Sequence, residues 1–339
     1  MKIIAVEEHF TTEEYIAYLH TRTEVPRREY IQDENGHQIE RVEWERGQFT
    51  IVNPEYSKRL SNLGEGRLKE MDEGGVDVQV LSLNFPGTEQ FSAADGTAIA
   101  RSTNDRLADA VRQHPERFAG LAALAPQDPE AAAAELERAV RVLGFKGASI
   151  NSHVQGEYLD DKKYWVIFET AEKLGVPIYI HPRVPSPDMV KPYLAYPGLS
   201  QAMLGFGAEV SLHAMRLMCG GVFDKYPRLK IILGHMGEAL PFWMWRIDNK
   251  WQSGPMGKRR ERLPSQYLKD NFYVTTSGMF WPPVLQFVNE VLGADRIMFA
   301  TDFPHESTPQ AVSFIKEASI GDADREKITH RNAEQILGL

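Results

Sequence analysis

A single cysteine, Cys219, occurs in 339 residues, so no disulfide can form within the chain, and a cytoplasmic location is the default expectation. No apolar run approaches the roughly 18 residues that a membrane span needs. The N-terminal Ile-Ile-Ala-Val run is too short for the core of a signal peptide, and acidic residues follow it at once. Positive charge is scarce: 38 Lys and Arg against 47 Asp and Glu leave a net charge of -9, which argues against a nucleic-acid surface. Low-complexity tracts and fixed-period repeats are missing, apart from an Ala-rich helix pattern at 130–140.

What is present is an ordinary globular composition, 42% apolar and 25% charged, with enough apolar residues for a sizeable core. β-branched runs at 2–6, 76–83, 117–124, 145–150, 176–180, 229–233, 271–276 and 296–301 alternate with helix patterns. Eight such units predict an α/β fold, a (β/α)8 TIM barrel of about 250 residues plus insertions, within one domain spanning 1–339. An open doubly wound sheet would alternate in the same way, but the Gly-rich turn expected after its first strand is missing. Residues 11–63 interrupt the alternation, mixing charge with Tyr30, Trp44, Phe49 and Tyr56. A structureless loop of that length is improbable, so a partly helical, lid-like insertion over the barrel mouth is expected.

Glu7, His9, His181, His235 and Asp302 each directly follow an apolar run. In a parallel barrel such positions converge at the C-terminal mouth. Side chains alternate along a strand, so Glu7 and His9 point one way and Glu8 the other. Imidazoles and carboxylates at repeated strand ends read as a mononuclear divalent-metal site. His20, His37, His114, His213 and His330 share no such placement and read as structural.

With Glu7-x-His9, His181 in IHPR, His235 in GHMGE and Asp302 in TDFP, the chain resembles the amidohydrolase superfamily, in particular its metal-dependent decarboxylase branch. The segments HPERFAGLAALAPQDPE, GFKGASIN and MWRID extend the likeness along the barrel. The resemblance implies that Glu7, His9, His181 and Asp302 hold one divalent ion, Zn²⁺ or Mn²⁺. It places His235 and Glu238 beside Asp302 as catalytic partners, and Asn151 and Arg246 on a small carboxylic acid substrate. His305 stands where the branch's aromatic decarboxylases carry an aromatic residue, and is expected to face the substrate. The resemblance, with the aromatic helix FWMWRIDNKW, also implies a homodimer or homotetramer. Glu7 and Asp302 together neutralise a divalent ion, which favours chelation of an acid over generation of hydroxide. The expected reaction is therefore decarboxylation of an ortho-hydroxybenzoate-like or dienoic acid, with Asp302, its pKa raised by the anionic substrate in a closed pocket, protonating the carbon that loses CO2. A metal-dependent hydrolase or hydratase of the same superfamily is the alternative.

Overall fold

The apolar runs become strands buried on both faces, as parallel strands covered by helices must be. In the computed structural model, which describes residues 1–45 and 47–339, they are β1 (Ile4–Phe10), β2 (Val78–Leu83), β3 (Phe118–Gly120, resumed at Ala122–Ala123), β4 (Ala148–Asn151), β5 (Ile178–His181), β6 (Ile231–Leu233), β7 (Phe272–Thr275) and β8 (Ile297–Met298). Each pairs in parallel with its successor. The ring closes where the Val6 amide donates to Phe299 O at 3.1 Å and the Asp302 amide to Glu7 O at 3.0 Å. This is the eight-stranded barrel expected from the alternation. Its interior is filled by Ile4, Val6, Val80, Tyr179, Ile232 and Tyr273 among others, while Ala5, Leu81, Ile178 and Ile231 pack outward under the helices.

β1 runs four residues further than its apolar pattern, so Glu7 and His9 lie inside the strand rather than past its end. It also carries a bulge: Ala5 stands opposite Gln79, but Glu8 stands opposite Leu81. One extra residue in a strand turns two consecutive side chains to the same side. Val6 and Glu7 therefore both face inward, whereas strict alternation from Ile4 and Val6 would have sent Glu8 there. Glu8 instead points outward, accepting from the Thr301 amide at 2.8 Å and from Gln79 Nε2 at 3.2 Å.

The segment after β1 holds more strand than its sequence suggested. Helices Glu13–Thr21 and Pro54–Ser61 flank a three-stranded antiparallel sheet of Arg27–Gln32, Gln38–Glu45 and Gln48–Ile51. Thr12 caps the first helix, its Oγ1 accepting from the Tyr15 amide at 3.1 Å. Asn53 caps the second, with its Oδ1 accepting from the Glu55 amide at 3.0 Å. The sheet comes from charged, weakly alternating sequence whose outer face is held by cross-strand ion pairs, Arg27 with Glu43 at 2.8 Å and Arg41 with Glu29 at 2.5 Å.

His213, on the helix Gly205–Gly220, has the structural role expected of it. Its Nδ1–H donates to Ser152 Oγ at 3.1 Å, and its Nε2 accepts from the Leu159 amide at 3.1 Å. Burial and the nearby Arg216 push its pKa from the ordinary 6.5 down to about 3. A depressed histidine contributes stability above its unfolded pKa, and that contribution is lost as pH falls from 6.5 toward 3. Acidifying from pH 7 to 5 should therefore cost about 2 kcal/mol through this group. Thermal melts at both pH values check it: the drop in Tm should be smaller in His213→Gln than in the wild type.

Candidate active site

Four side chains from β1, β5 and the turn after β8 meet at the C-terminal mouth of the barrel. One ligand-type atom from each of Glu7, His9, His181 and Asp302 lies within 4.8 Å of all the others. His9 Nε2 is 3.0 Å from Asp302 Oδ1, and His181 Nε2 is 3.7 Å from Glu7 Oε1. Both imidazoles thus turn the same ring nitrogen inward while the other is held from behind. His9 Nδ1 lies 3.3 Å from Ser82 Oγ, and His181 Nδ1–H donates to Asn151 Oδ1 at 2.9 Å. Glu7 Oε2 accepts from Thr275 Oγ1 at 2.9 Å and from Ser277 Oγ.

Glu7 Oε1 is buried with no hydrogen-bond partner. A carboxylate oxygen removed from water and left unpaired is costly unless a cation completes it. Burial also holds His181 well below the ordinary imidazole range, with His9 adding to it, so its ring stays neutral, the form that ligates a metal. Two carboxylates and two imidazoles, one oxygen of them orphaned, fit a divalent cation. Gly234 allows the approach, since a Cβ there would lie 3.0 Å from Glu7 Oε2.

Asp302 occupies a left-handed backbone position, φ 68°. Burial alone would raise its pKa, but His305, the nearby His235 and the hydrogen bond with His9 outweigh that and hold it well below the carboxylate range. The raised pKa expected of Asp302 belongs to the complex with an anionic substrate; in the substrate-free protein Asp302 is ionised. His235 Nε2 stands 3.7 Å from Asp302 Oδ2, and its Nδ1 lies 2.6 Å from Glu238 Oε1. Burial opposes a charge on His235, yet Glu238, Glu7 and Asp302 hold its pKa well above the ordinary value. The Glu238 carboxylate pairs with His235, while its backbone carbonyl accepts from Ser211 Oγ. His235 through Ala239 all have positive φ, a strained turn held in part by the His235 amide donating to Ser277 Oγ at 3.1 Å.

Two residues expected on the substrate lie elsewhere. Asn151 is buried behind His181 and does not line the cavity; its amide nitrogen donates to Glu89 Oε1 at 3.2 Å while its oxygen holds the ring. Arg246 is exposed. Its helix, Leu240–Ser253, buries Leu240, Met244 and Trp251, and Arg246 lies about 200° around from Met244 at 100° per residue. His305 does line the cavity. Its Nε2–H donates to Asn84 Oδ1 at 2.9 Å, and the Tyr56 hydroxyl lies 2.8 Å from its Nδ1.

Ser82, Thr275, Ser277 and Glu89 went unrecognised in the sequence. Ser82, Thr275 and Ser277 lie at or just past strand ends, so the rule that singled out the histidines could have found them; Glu89 sits in a loop and gave no signal. Because outer partners fix the orientation of a ligating imidazole, Asn151→Ala should weaken divalent-ion affinity about 10–100-fold. Calorimetric titration of metal-stripped protein with Mn²⁺ measures this directly.

A cavity of about 520 Å³ opens above the cluster. Its floor carries His181, His235, Asp302 and His305, and one wall is formed by the segment after β1, through Tyr15, Arg28, Trp44 and Tyr56 among others. Phe85 and Phe206, 5.9 Å apart, also line it.

Residues 47–339 match the amidohydrolase family. The gamma-resorcylate decarboxylase of Polaromonas sp. (strain JS666 / ATCC BAA-500) is 41% identical over 347 residues, covering 99% of this chain and 98% of that one. The crystal structure of 5-carboxyvanillate decarboxylase from Sphingomonas paucimobilis superposes with a TM-score of 0.89 at 37% identity, covering 100% of this chain and 99% of that one. A dihydroxybenzoic acid decarboxylase from Polaromonas sp. JS666, solved with manganese and the inhibitor 2-nitroresorcinol, gives a TM-score of 0.86 at 39% identity over 100% and 97% of the two chains. The chain therefore belongs to the amidohydrolase family, in the branch that contains these decarboxylases.

Proposed function

We propose that this protein is a metal-dependent carboxy-lyase that removes CO2, without an oxidant, from an aromatic acid bearing a hydroxyl ortho to the carboxylate. One observation carries the reading. The mouth combines a two-carboxylate, two-imidazole cluster around an orphaned buried oxygen with a charged imidazole 3.7 Å from the acid that would move a proton. The reactions named for the relatives support the same chemistry here.

Glu7, His9, His181 and Asp302 would hold one divalent ion, which when bound would draw in the substrate's carboxylate and ortho oxygen. Manganese in a relative at 39% identity favours Mn²⁺ over Zn²⁺, although ligand preference alone would pick zinc. Two anionic ligands cancel the ion's charge, which weakens the hydrolytic alternative.

Asp302 starts ionised, so the proton it delivers must arrive with the substrate. The ortho hydroxyl supplies it as the ring enters, and the incoming anion in a closed cavity then raises the Asp302 pKa. Asp302 protonates the carbon bearing the carboxylate. That carbon's bond to the carboxylate breaks, the electron pair restores the aromatic ring, and CO2 leaves. His235, kept charged by Glu238, faces Asp302 Oδ2 and stabilises the phenolate that forms. Residues 11–63 cover the mouth and exclude water during the step. Phe242, Trp243, Trp245 and Trp281 are 49% to 79% exposed, and that apolar face supports self-association into a homodimer or homotetramer.

Turnover of 2,6-dihydroxybenzoate by Mn²⁺-loaded protein in D2O tests the reaction. One deuterium at the vacated carbon with release of CO2 is expected. Oxygen incorporated from labelled water, with no CO2, would overturn it in favour of hydrolysis.

A further inference from the structure

The cavity is larger than a single-ring acid requires. Its volume of about 520 Å³ falls in the range, about 300–1,000 Å³, of sites that enclose drug-sized ligands. One ring with a carboxylate and two hydroxyls would fill only the end beside Asp302. The rest of the space lies between Leu19, Phe85 and the insertion sheet.

The register of that sheet explains what the space accepts. Arg28 pairs with Val42, and Val42 with Thr50. Arg28, Val42 and Thr50 therefore share one face; Trp44 is the extra residue where the register shifts between Glu43 and Glu45, and all four line the cavity. Trp44 closes against Phe85, ring centroids 6.0 Å apart. The opposite face carries the Arg27–Glu43 and Arg41–Glu29 pairs near solvent. Arg28 is the exception to this division, a cation set in the apolar, inward face and only 8% exposed.

Its guanidinium is braced from two sides. Nε lies 3.3 Å from Glu40 Oε1, and Nη2 donates to Ser57 Oγ at 3.4 Å; neither contact engages Nη1. Ser57 follows Tyr56, whose hydroxyl reaches His305 beside Asp302. The reacting residues and the guanidinium thus border one cavity, connected through its wall. A braced, desolvated guanidinium with a donor edge to spare is suited to a carboxylate or similar anion.

We propose that the substrate is an ortho-hydroxybenzoate extended, opposite its reacting carboxylate, by an apolar substituent ending in an anionic group, and that Arg28 binds that group. The proposal rests on the decarboxylase reading above and specifies its substrate class. Three 2,6-dihydroxybenzoates test it with the Mn²⁺-loaded, full-length protein: the parent, a 4-alkyl derivative ending in a carboxylate, and the same chain ending in a methyl ester. The carboxylate-ended compound should exceed its ester in kcat/KM by tenfold or more. That ratio should fall to about one in Arg28→Met and stay intermediate in Arg28→Lys. Equal use of the two tailed acids by the wild type, turnover of the parent alone, or a ratio unchanged in Arg28→Met overturns the proposal and leaves the decarboxylase reading standing. Release of CO2 from none of the three overturns both.

Discussion

Asp302→Asn should lower kcat by about 10²–10⁴-fold, the usual worth of a positioned general acid. The carboxamide keeps the shape of the side chain but has no acidic proton to give. It also changes the carboxylate's contacts with His9 Nε2 through Oδ1 and with His235 Nε2 through Oδ2. Loss of a metal ligand and loss of a proton carrier must be told apart, so Mn²⁺ content is measured beside CO2 release. A variant that retains stoichiometric metal and little turnover identifies Asp302 as the proton carrier. One that retains metal and full turnover removes Asp302 from that role and, with it, the order of proton movements proposed here.

Stripping the divalent ion with a chelator should abolish CO2 release, and Mn²⁺ should restore it. Stability should fall as well. An ion present at 100 times its Kd stabilises the folded state by about 2.7 kcal/mol, and Glu7 Oε1 is otherwise buried with no partner. Calorimetry of stripped and reloaded protein should show a higher Tm with metal. In Glu7→Gln that difference should shrink, because the uncompensated charge is gone and the site binds the ion less well. Full activity in protein shown by elemental analysis to be metal-free would remove the ion from the reaction altogether.

The cluster itself was legible because strand-end position is a local property. Apolar runs of four to six residues reveal strands, and a parallel barrel sends every strand end to one mouth, so Glu7, His9, His181, His235 and Asp302 could be grouped before any contact was known. The β1 bulge was not legible, since a bulge depends on pairing with β2 rather than on β1 alone. Nor were the positions of Asn151 and Arg246 relative to the cavity. Asn151 follows a strand like the true cluster members, but its strand is oriented so that the side chain reaches Glu89 and His181 instead of the opening. Arg246 lies in a segment that resembles a substrate contact, and only the packing of Leu240, Met244 and Trp251 decides that it faces outward.

Arg28 shows the same division from the other side. Its segment, Arg27 to Gln32, opens on two adjacent arginines and gave no reason to separate Arg27 from Arg28. Pairing with Gln38–Glu45 makes one an outer ion-pair partner and the other a cavity wall. From the sequence alone came the barrel and the grouping of the metal-type side chains, because both follow from residue types repeated at fixed places along strands; the ligand set and the reaction class came with the family resemblance that those residues carry. Tertiary structure alone decided the ionised state of Asp302, the supports behind each histidine and the shape of the substrate space. Those depend on distances between residues far apart in the chain, and electrostatic and packing energies are set by such distances rather than by order along the chain.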